Sequence, residues 1–261
     1  MESRVVGSGF WGTVYKPPPK SGNKLLDRFA NSTYVLKITS SKAALHALKV
    51  ANHLRNRFPF THNHFLIPFP LVRDLTNYPT TDLNPQKDSG DNLRKLMSYV
   101  GFGSKNNNDL VGLYMLDGGV PWASYSFTEE NRDVIFVKLL KAVLILHQCQ
   151  CTHGDIHGNN IMIDSKETPK LIDWESCIVH RSATEPLSSH ITSNFTWLHC
   201  WWKGSLRFNQ EKQIESDWKQ VALLSETWKK QILTNPTDAF VKEILVSKSL
   251  DYKQHRTLAQ I

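Results

Sequence analysis

No apolar run in this chain approaches the 18 or more residues that a membrane span requires. The longest candidates are broken by Lys, His or Asp, so no membrane partner is expected. No hydrophobic core of a leader follows Met1-Glu2-Ser3-Arg4, and a signal peptide is not expected either. Cysteine is scarce. Cys149, Cys151, Cys177 and Cys200 make no CxxC pair and no metal-ligand spacing, which argues against a zinc module or a disulfide framework. A reduced intracellular compartment is the simplest expectation, cytoplasmic or, for a protein acting in a host, host-cell cytoplasm or nucleus. Lysine and arginine never gather into runs. The net charge of +7 and the pI near 9.2 therefore read as a basic surface that favours phosphate-bearing or acidic partners, and nucleic-acid binding is not expected as the main task. Internal repeats and low-complexity tracts are also missing. Glutamate is absent between Glu2 and Glu129, a gap that bears on the chemistry below.

What is present is an ordinary globular balance, with 40% hydrophobic and 21% charged residues in 261. That length is enough for one domain of two lobes or for two small domains. Arg4 to Val6 and Thr13 to Tyr15 read as strands around a glycine turn, and Tyr34 to Ile38 as a third strand. Ser40 or Ser41 caps a helix running to about Phe58, with Ala44, Leu45, Leu48, Ala51 and Leu54 expected on one face. Residues 66–108 are strand-like but interrupted, and 78–92 carry the turn residues of an exposed loop. Leu110 to Leu116 is apolar enough for a buried strand that ends at Asp117-Gly118-Gly119, where a boundary between lobes is placed: 1–117 and 118–261. Beyond it, Thr128 caps a long helix over 129–150, with Ile135, Leu139, Leu140, Val143, Leu144 and His147 at helical spacing. Short strands are expected at 161–163 and 170–172, and a second helix from about Ser216 to Leu233.

Three features carry chemistry. The first is Gly7-Ser8-Gly9-Phe10-Trp11-Gly12-Thr13-Val14. A GxGxxG that continues into strand formers belongs to a hairpin rather than to a strand-to-helix turn, and a glycine hairpin lets backbone N–H groups approach phosphates. Phe10 or Trp11 at its tip would cover them. An ordinary tight hairpin has the same spelling. The second is Lys37 within Val35-Leu36-Lys37-Ile38, either a solvent-facing strand lysine or a point charge for the α- and β-phosphates. The third is His153-Gly154-Asp155-Ile156-His157-Gly158-Asn159-Asn160, with Asp173 following 18 residues after Asp155. Asp155 would accept a hydrogen bond from a substrate hydroxyl. Asn160 can reach back across the loop towards a metal ion, and Asp173, at the end of a short strand, would hold magnesium bridging the phosphates.

In this order and spacing the array resembles the protein kinase superfamily, closest to its trimmed viral and bacterial-effector members, over about residues 4–230. The resemblance implies an α+β fold of two lobes, β-rich at the N-terminus and mainly helical and shortened at the C-terminus. It implies ATP and Mg²⁺ as cofactors and a protein substrate, in a host for the viral or effector case, with serine or threonine as the acceptor. Carried over by position, Asp155 and Lys37 would be catalytic, and Asn160 and Asp173 the metal ligands. Gly7, Gly9, Gly12, Val14 and Lys37 would line the nucleotide, with Leu113 as gatekeeper and Tyr114 to Leu116 as the hinge whose backbone meets adenine. Asp217 resembles the helix aspartate that braces the catalytic loop, although a helix N-cap has the same appearance.

Several departures keep other readings open. The helix after Lys37 holds no glutamate, only His46, Asn52, His53 and Asn56, so Lys37 is positioned by other groups such as Asp173 or the usual ion-pair switch is absent. Trp174-Glu175 stands where Phe-Gly is usual, a spelling shared with small-molecule phosphotransferases. Gly154 occupies a common arginine position, which implies independence from activation-loop phosphorylation. Thr184-Glu185-Pro186 only faintly echoes Ala-Pro-Glu, and 44 residues follow Asp217. An aromatic cluster, Phe195, Trp197, Leu198, Trp201 and Trp202, reads as core packing or as a docking face. A kinase-fold binding module and a small-molecule phosphotransferase are the alternatives to a protein kinase.

Overall fold

The computed structural model describes residues 2–9, 12–72, 110–180 and 210–247. Phe10 and Trp11, the loop at 78–92, Thr184-Glu185-Pro186, Cys200 and the aromatic cluster at 195–202 lie outside these residues. The described chain is mixed α+β and divides into two compact units. The first holds residues 1–56, 66–118 and 173–175. The second holds 57–65, 119–172 and 176–261.

The first unit is built on an antiparallel sheet of β1 (Arg4–Gly9), β2 (Gly12–Lys16), β3 (Tyr34–Ser40), β4 (Phe69–Val72) and β5 (Leu110–Leu116), in the order β1-β2-β3-β5-β4. Alternation decides its two faces, because successive side chains of a strand point opposite ways. Tyr15, Leu36, Ile38 and Tyr114 share one face and form a buried cluster, completed by Leu26, Phe29, Phe69 and Leu110. Phe29 sits at its centre, with ring centroids 5.1 Å from both Tyr34 and Tyr114 and 5.3 Å from Phe69. Val14, Lys37 and Leu113 pair in register and so share the other face. The expected glycine hairpin is present, but Gly7, Gly9 and Gly12 lie within its two strands rather than in a loose turn. Gly12 has a packing reason of its own. Its φ is 140°, and a Cβ there would stand 2.1 Å from the Ile38 carbonyl oxygen.

Helix α1 (Ser41–Arg57) begins as its cap predicts, with the Ala43 N–H donating to Ser40 Oγ at 3.3 Å. It buries Ala43, Ala44, Ala47, Val50, Ala51 and Leu54. Leu45, expected on that face, is exposed. The run of small residues at 43, 44, 47 and 51 sets the stripe, turning it away from Leu45.

The second unit is organised around α2 (Glu129–Gln148), whose capping box joins Thr128 and Asn131 through both side chains. Ile135, Phe136, Leu139, Leu140, Ala142, Val143, Leu144, Leu146 and His147 are all buried. A helix apolar over so much of its circumference must be covered on several sides. Around it lie β6 (Val120–Pro121), β7 (Cys151–Thr152), β8 (Ile161–Ile163), β9 (Pro169–Leu171) and β10 (Ile178–Val179), in sheets ordered β6-β8-β9 and β10-β7. The segment after α1 also belongs here, since Phe65 bridges Leu171 and the Leu171 N–H donates to the His64 carbonyl at 3.0 Å. The helix expected over 216–233 is two helices, α3 (Gln210–Ala222) and α4 (Lys229–Thr234), and residues 238–247 are helical as well. The break falls at 223–228, where Ser225 Oγ accepts from the Trp228 N–H at 3.3 Å. A serine that bonds forward to the backbone offers the chain an alternative to continuing the helix.

Gly12→Ala should destabilise the protein by more than about 2 kcal/mol in urea denaturation, combining a left-handed backbone with overpacking against Ile38. Gly7→Ala, whose new methyl would find Val14 Cβ at 3.8 Å, should stay near wild type.

Candidate active site

Within the first unit, register decides which side chains share the face of the sheet that carries Lys37. Lys37 on β3 lies between Val14 on β2 and Leu113 on β5, so three of the predicted nucleotide residues stand abreast. Leu113 is buried. The Tyr114 side chain belongs to the opposite, aromatic face, so only its backbone is available to a ligand on the Lys37 side. The pairing of β4 with β5 stops at Phe69 opposite Tyr114, and β5 runs on through Met115 to Leu116, whose side chain is 41% exposed.

Lys37 itself is buried, and a buried ammonium is tolerated only where it is paired. Its Nζ meets the Asp173 carboxylate and, at 2.6 Å, Glu175 Oε1. Burial alone would lower the lysine's pKa. The charges and hydrogen bonds of Glu175 and Asp173 outweigh it and hold the ammonium well above the usual lysine range, so Lys37 is charged. Burial pushes the Glu175 carboxyl upward, to about 8, with Asp173 adding to the rise and Lys37 opposing it. Two acidic side chains thus face one ammonium, and Glu175 Oε2 is buried without a hydrogen-bond partner. Asp173 has φ 71°, a left-handed conformation that a non-glycine residue holds only when its surroundings impose it. Next to it the Trp174 ring is fully buried, and its Nε1–H donates to the Leu66 carbonyl at 2.8 Å. Residues 173–175 are thereby fixed to the first unit at three successive side chains.

The loop from His153 to Asn160 belongs to the second unit. Its backbone is held by Asp217, which is completely buried and accepts the His153 N–H at 2.7 Å and the Gly154 N–H at 2.8 Å. Asp217 lies inside α3, so it is the brace of the loop and not a helix N-cap. Gly154 has φ 78°, which suits glycine and would strain an arginine at this place. One turn further along α3, Gln220 accepts the Ile156 N–H at 2.6 Å and donates to the Gly154 carbonyl at 3.3 Å. His153 donates from Nε2 to the Ile172 carbonyl at 2.8 Å, and the Ile172 N–H donates to the Asn160 carbonyl at 3.0 Å. The loop and the strand leading to Asp173 are thus tied together.

On this frame Asp155 keeps a side chain 44% exposed. Asn160 Nδ2 donates to the Asp155 carbonyl at 3.0 Å and to its Oδ2 at 3.1 Å, which fixes the carboxylate. The Asn160 amide oxygen is the remaining acceptor of that group. The Asn159 N–H donates to His157 Nδ1 at 3.2 Å, so Nε2 carries the proton, 3.7 Å from Asp155 Oδ2. Asp155, Asn160 and Asp217 are therefore joined by one loop, as their spacing suggests. Lys37 and Asp173 are joined in the other unit, with Val14 and Leu113 beside the lysine.

Sequence reasoning missed Glu175, Gln220, His147 and Asp238 as members of these networks. His147 was assigned to the buried face of its helix by spacing alone. Its Nε2 lies 3.2 Å from Asp217 Oδ2 and its Nδ1 2.7 Å from Asp238 Oδ1, which also accepts Trp218 Nε1–H at 2.8 Å. A histidine on an apolar stripe with acidic residues downstream was the available signal. Burial lowers the pKa of His147, but the hydrogen bonds to Asp217 and Asp238 outweigh this and raise it to about 9.

Among the described residues, no group of three or more His, Cys, Asp or Glu side chains is arranged to hold a metal ion, and no helix is long and apolar enough to cross a membrane. A family model described as the protein kinase domain matches residues 96–197. The match takes in the loop from His153 to Asn160, Asp173 and Glu175, and leaves out the glycine hairpin and Lys37. No curated protein matches the sequence.

The folded pKa of His147 lies above the unfolded value near 6.5, so its stabilisation is complete below pH 6.5 and is lost as pH rises through 9. Wild-type stability should fall by on the order of 3 kcal/mol more across this window than that of His147→Gln, which lacks this component but keeps those of other groups titrating there, such as Glu175. Urea denaturation at pH 6, 7.5 and 9.5 measures the difference.

Proposed function

We propose that this chain is a protein kinase, on the match of residues 96–197 to the protein kinase domain, and that it uses ATP and Mg²⁺ to phosphorylate a serine or threonine hydroxyl of a protein. The family supports phosphotransfer of the kinase type and a protein as substrate. The nucleotide, the metal and the acceptor are our reading. One observation carries it: Asp155 stands accessible on a loop whose backbone is pinned at His153, Gly154 and Ile156, and its carboxylate is oriented by Asn160.

Phosphoryl transfer asks the protein for positioning and charge rather than covalent chemistry. Asp155 Oδ accepts the hydrogen bond of the substrate hydroxyl, aims its oxygen at the γ-phosphorus and takes the proton late. Asn160 keeps that carboxylate from rotating away. Lys37, held in its charged form, presents a compact cation to the α- and β-phosphates. Gly7, Gly9 and Gly12 keep the β1–β2 hairpin free of side chains over the phosphates, Val14 and Leu113 bound the base, and the backbone of Tyr114 to Leu116 meets its polar edge.

The residues available for magnesium fit it. Asp173 and the Asn160 amide oxygen are hard oxygen donors, few in number, as suits an ion that keeps water and phosphate among its ligands. When bound, magnesium neutralises charge on the β- and γ-phosphate oxygens.

Asp173-Trp174-Glu175 supports a second reading, phosphorylation of a small molecule, because that spelling is shared with small-molecule phosphotransferases. The basic surface opposes it where the acceptor is cationic.

Incubation with labelled ATP, Mg²⁺ and a cell lysate should give labelled protein bands. Asp155→Ala should reduce labelling by about 10²-fold or more, and Lys37→Ala should remove it. Tight ATP binding with no labelled protein would overturn the protein-kinase reading. Label recovered only in a small acceptor would establish the second.

A further inference from the structure

We propose that Glu175 is the positioning residue of Lys37, taking the place of the helix carboxylate that this chain lacks. The inference rests on the reading of Lys37 as the phosphate contact. Helix α1 offers no acidic side chain anywhere along Ser41–Arg57. Two carboxylates nevertheless meet Lys37 Nζ, and both come from one short segment, Asp173 and Glu175.

The two differ in what they can do. Asp173 is the more exposed of the pair, with a side chain 19% accessible against 2% for Glu175. It is also the group assigned to the metal, so its oxygens are drawn to two cations. Glu175 is buried, and its Oε1 bonds Lys37 at 2.6 Å. It therefore gives the ammonium a fixed partner that remains when Asp173 turns to a cation. Its place is set by the 3₁₀ turn Trp174–Ser176 and by the Trp174 indole, which donates to the Leu66 carbonyl.

A consequence follows for control. In the usual arrangement the lysine's partner rides on a helix that can swing away. Here the partner sits two residues from Asp173 and is anchored through Trp174, so lysine positioning is independent of any movement of α1. The device is permanently set rather than switched.

The test reads the lysine directly. In uniformly ¹³C,¹⁵N-labelled protein, the Lys37 ammonium signal is assigned by its loss in Lys37→Arg. It should exchange slowly with water, unlike that of Lys16, whose side chain is 34% exposed in its pair with Asp117. Glu175→Gln should accelerate this exchange at least tenfold. An unchanged signal in a folded Glu175→Gln protein would overturn the proposal. A through-hydrogen-bond coupling from Lys37 Nζ to the Glu175 carboxylate carbon tests wild type without substitution, and its absence alongside a detected coupling to Asp173 would also overturn it. In a transfer assay Glu175→Gln should raise the ATP KM and lower kcat, whereas simple loss of folded protein would lower kcat at constant KM. Inactive wild type would count against the proposed function and leave the ammonium measurements decisive for Glu175.

Discussion

A carboxylate with no access to water must be surrounded by donors, and Asp217 meets this requirement with the backbone of the loop from His153 to Asn160. The constraint acts in both directions. The ion is stabilised by two amides and by a protonated histidine, and the amides, which a tight loop cannot pair internally, find their acceptor. Because His147 comes from α2 and Asp217 from α3, the same charge joins two helices of the second unit. Asp238 and the Trp218 indole extend the network to the last described helical stretch. Position of the loop and packing of the helical core are thus parts of one arrangement.

Lys37 poses the opposite problem, a buried cation, and the first unit answers it with two acidic side chains from one short segment. Paired one to one, a buried ion pair contributes little net stability. A second buried acidic partner adds a desolvation cost of its own, so the arrangement is poor as pure architecture, and a lysine that contacts nucleotide, as proposed, would account for it. The left-handed backbone at Asp173 points the same way, since strain of this kind persists where the surroundings impose it for use.

The legibility of the structure in the sequence follows the range of the forces involved. Strands at Leu110–Leu116 and Tyr34–Ser40, the Thr128 cap and the buried stripe of α2 were readable because periodicity and capping are local. Leu45 falls outside the buried stripe because the alanines at 43, 44, 47 and 51 set that stripe, whereas the five apolar residues chosen by spacing included Leu45. The break at 223–228 escaped because a serine turn inside a helical pattern carries almost no signal. Asp155, Asn160 and Asp173 could be picked out by spacing along one loop and strand. Glu175 could not, although it follows Asp173 by two residues, because its partner lies 138 residues away and nothing local tells a buried glutamate from a surface one.

The missing helix glutamate and the preserved Lys37 seem at first to pull apart, one pointing to a binding module and the other to an enzyme. They are reconciled once the lysine's electrostatic needs are considered separately from their usual source. A lysine retained without chemistry would be under no pressure to stay charged in a buried place, and substitution by an apolar residue would remove the desolvation cost of three groups at once. The chain instead keeps the cation and supplies a second acidic partner from the segment that carries Asp173. In the other unit, Asp155 is likewise left accessible while the atoms around it are fixed. Charge held at a cost in one unit and an accessible, fixed carboxylate in the other are the two observations on which the proposed phosphoryl transfer rests.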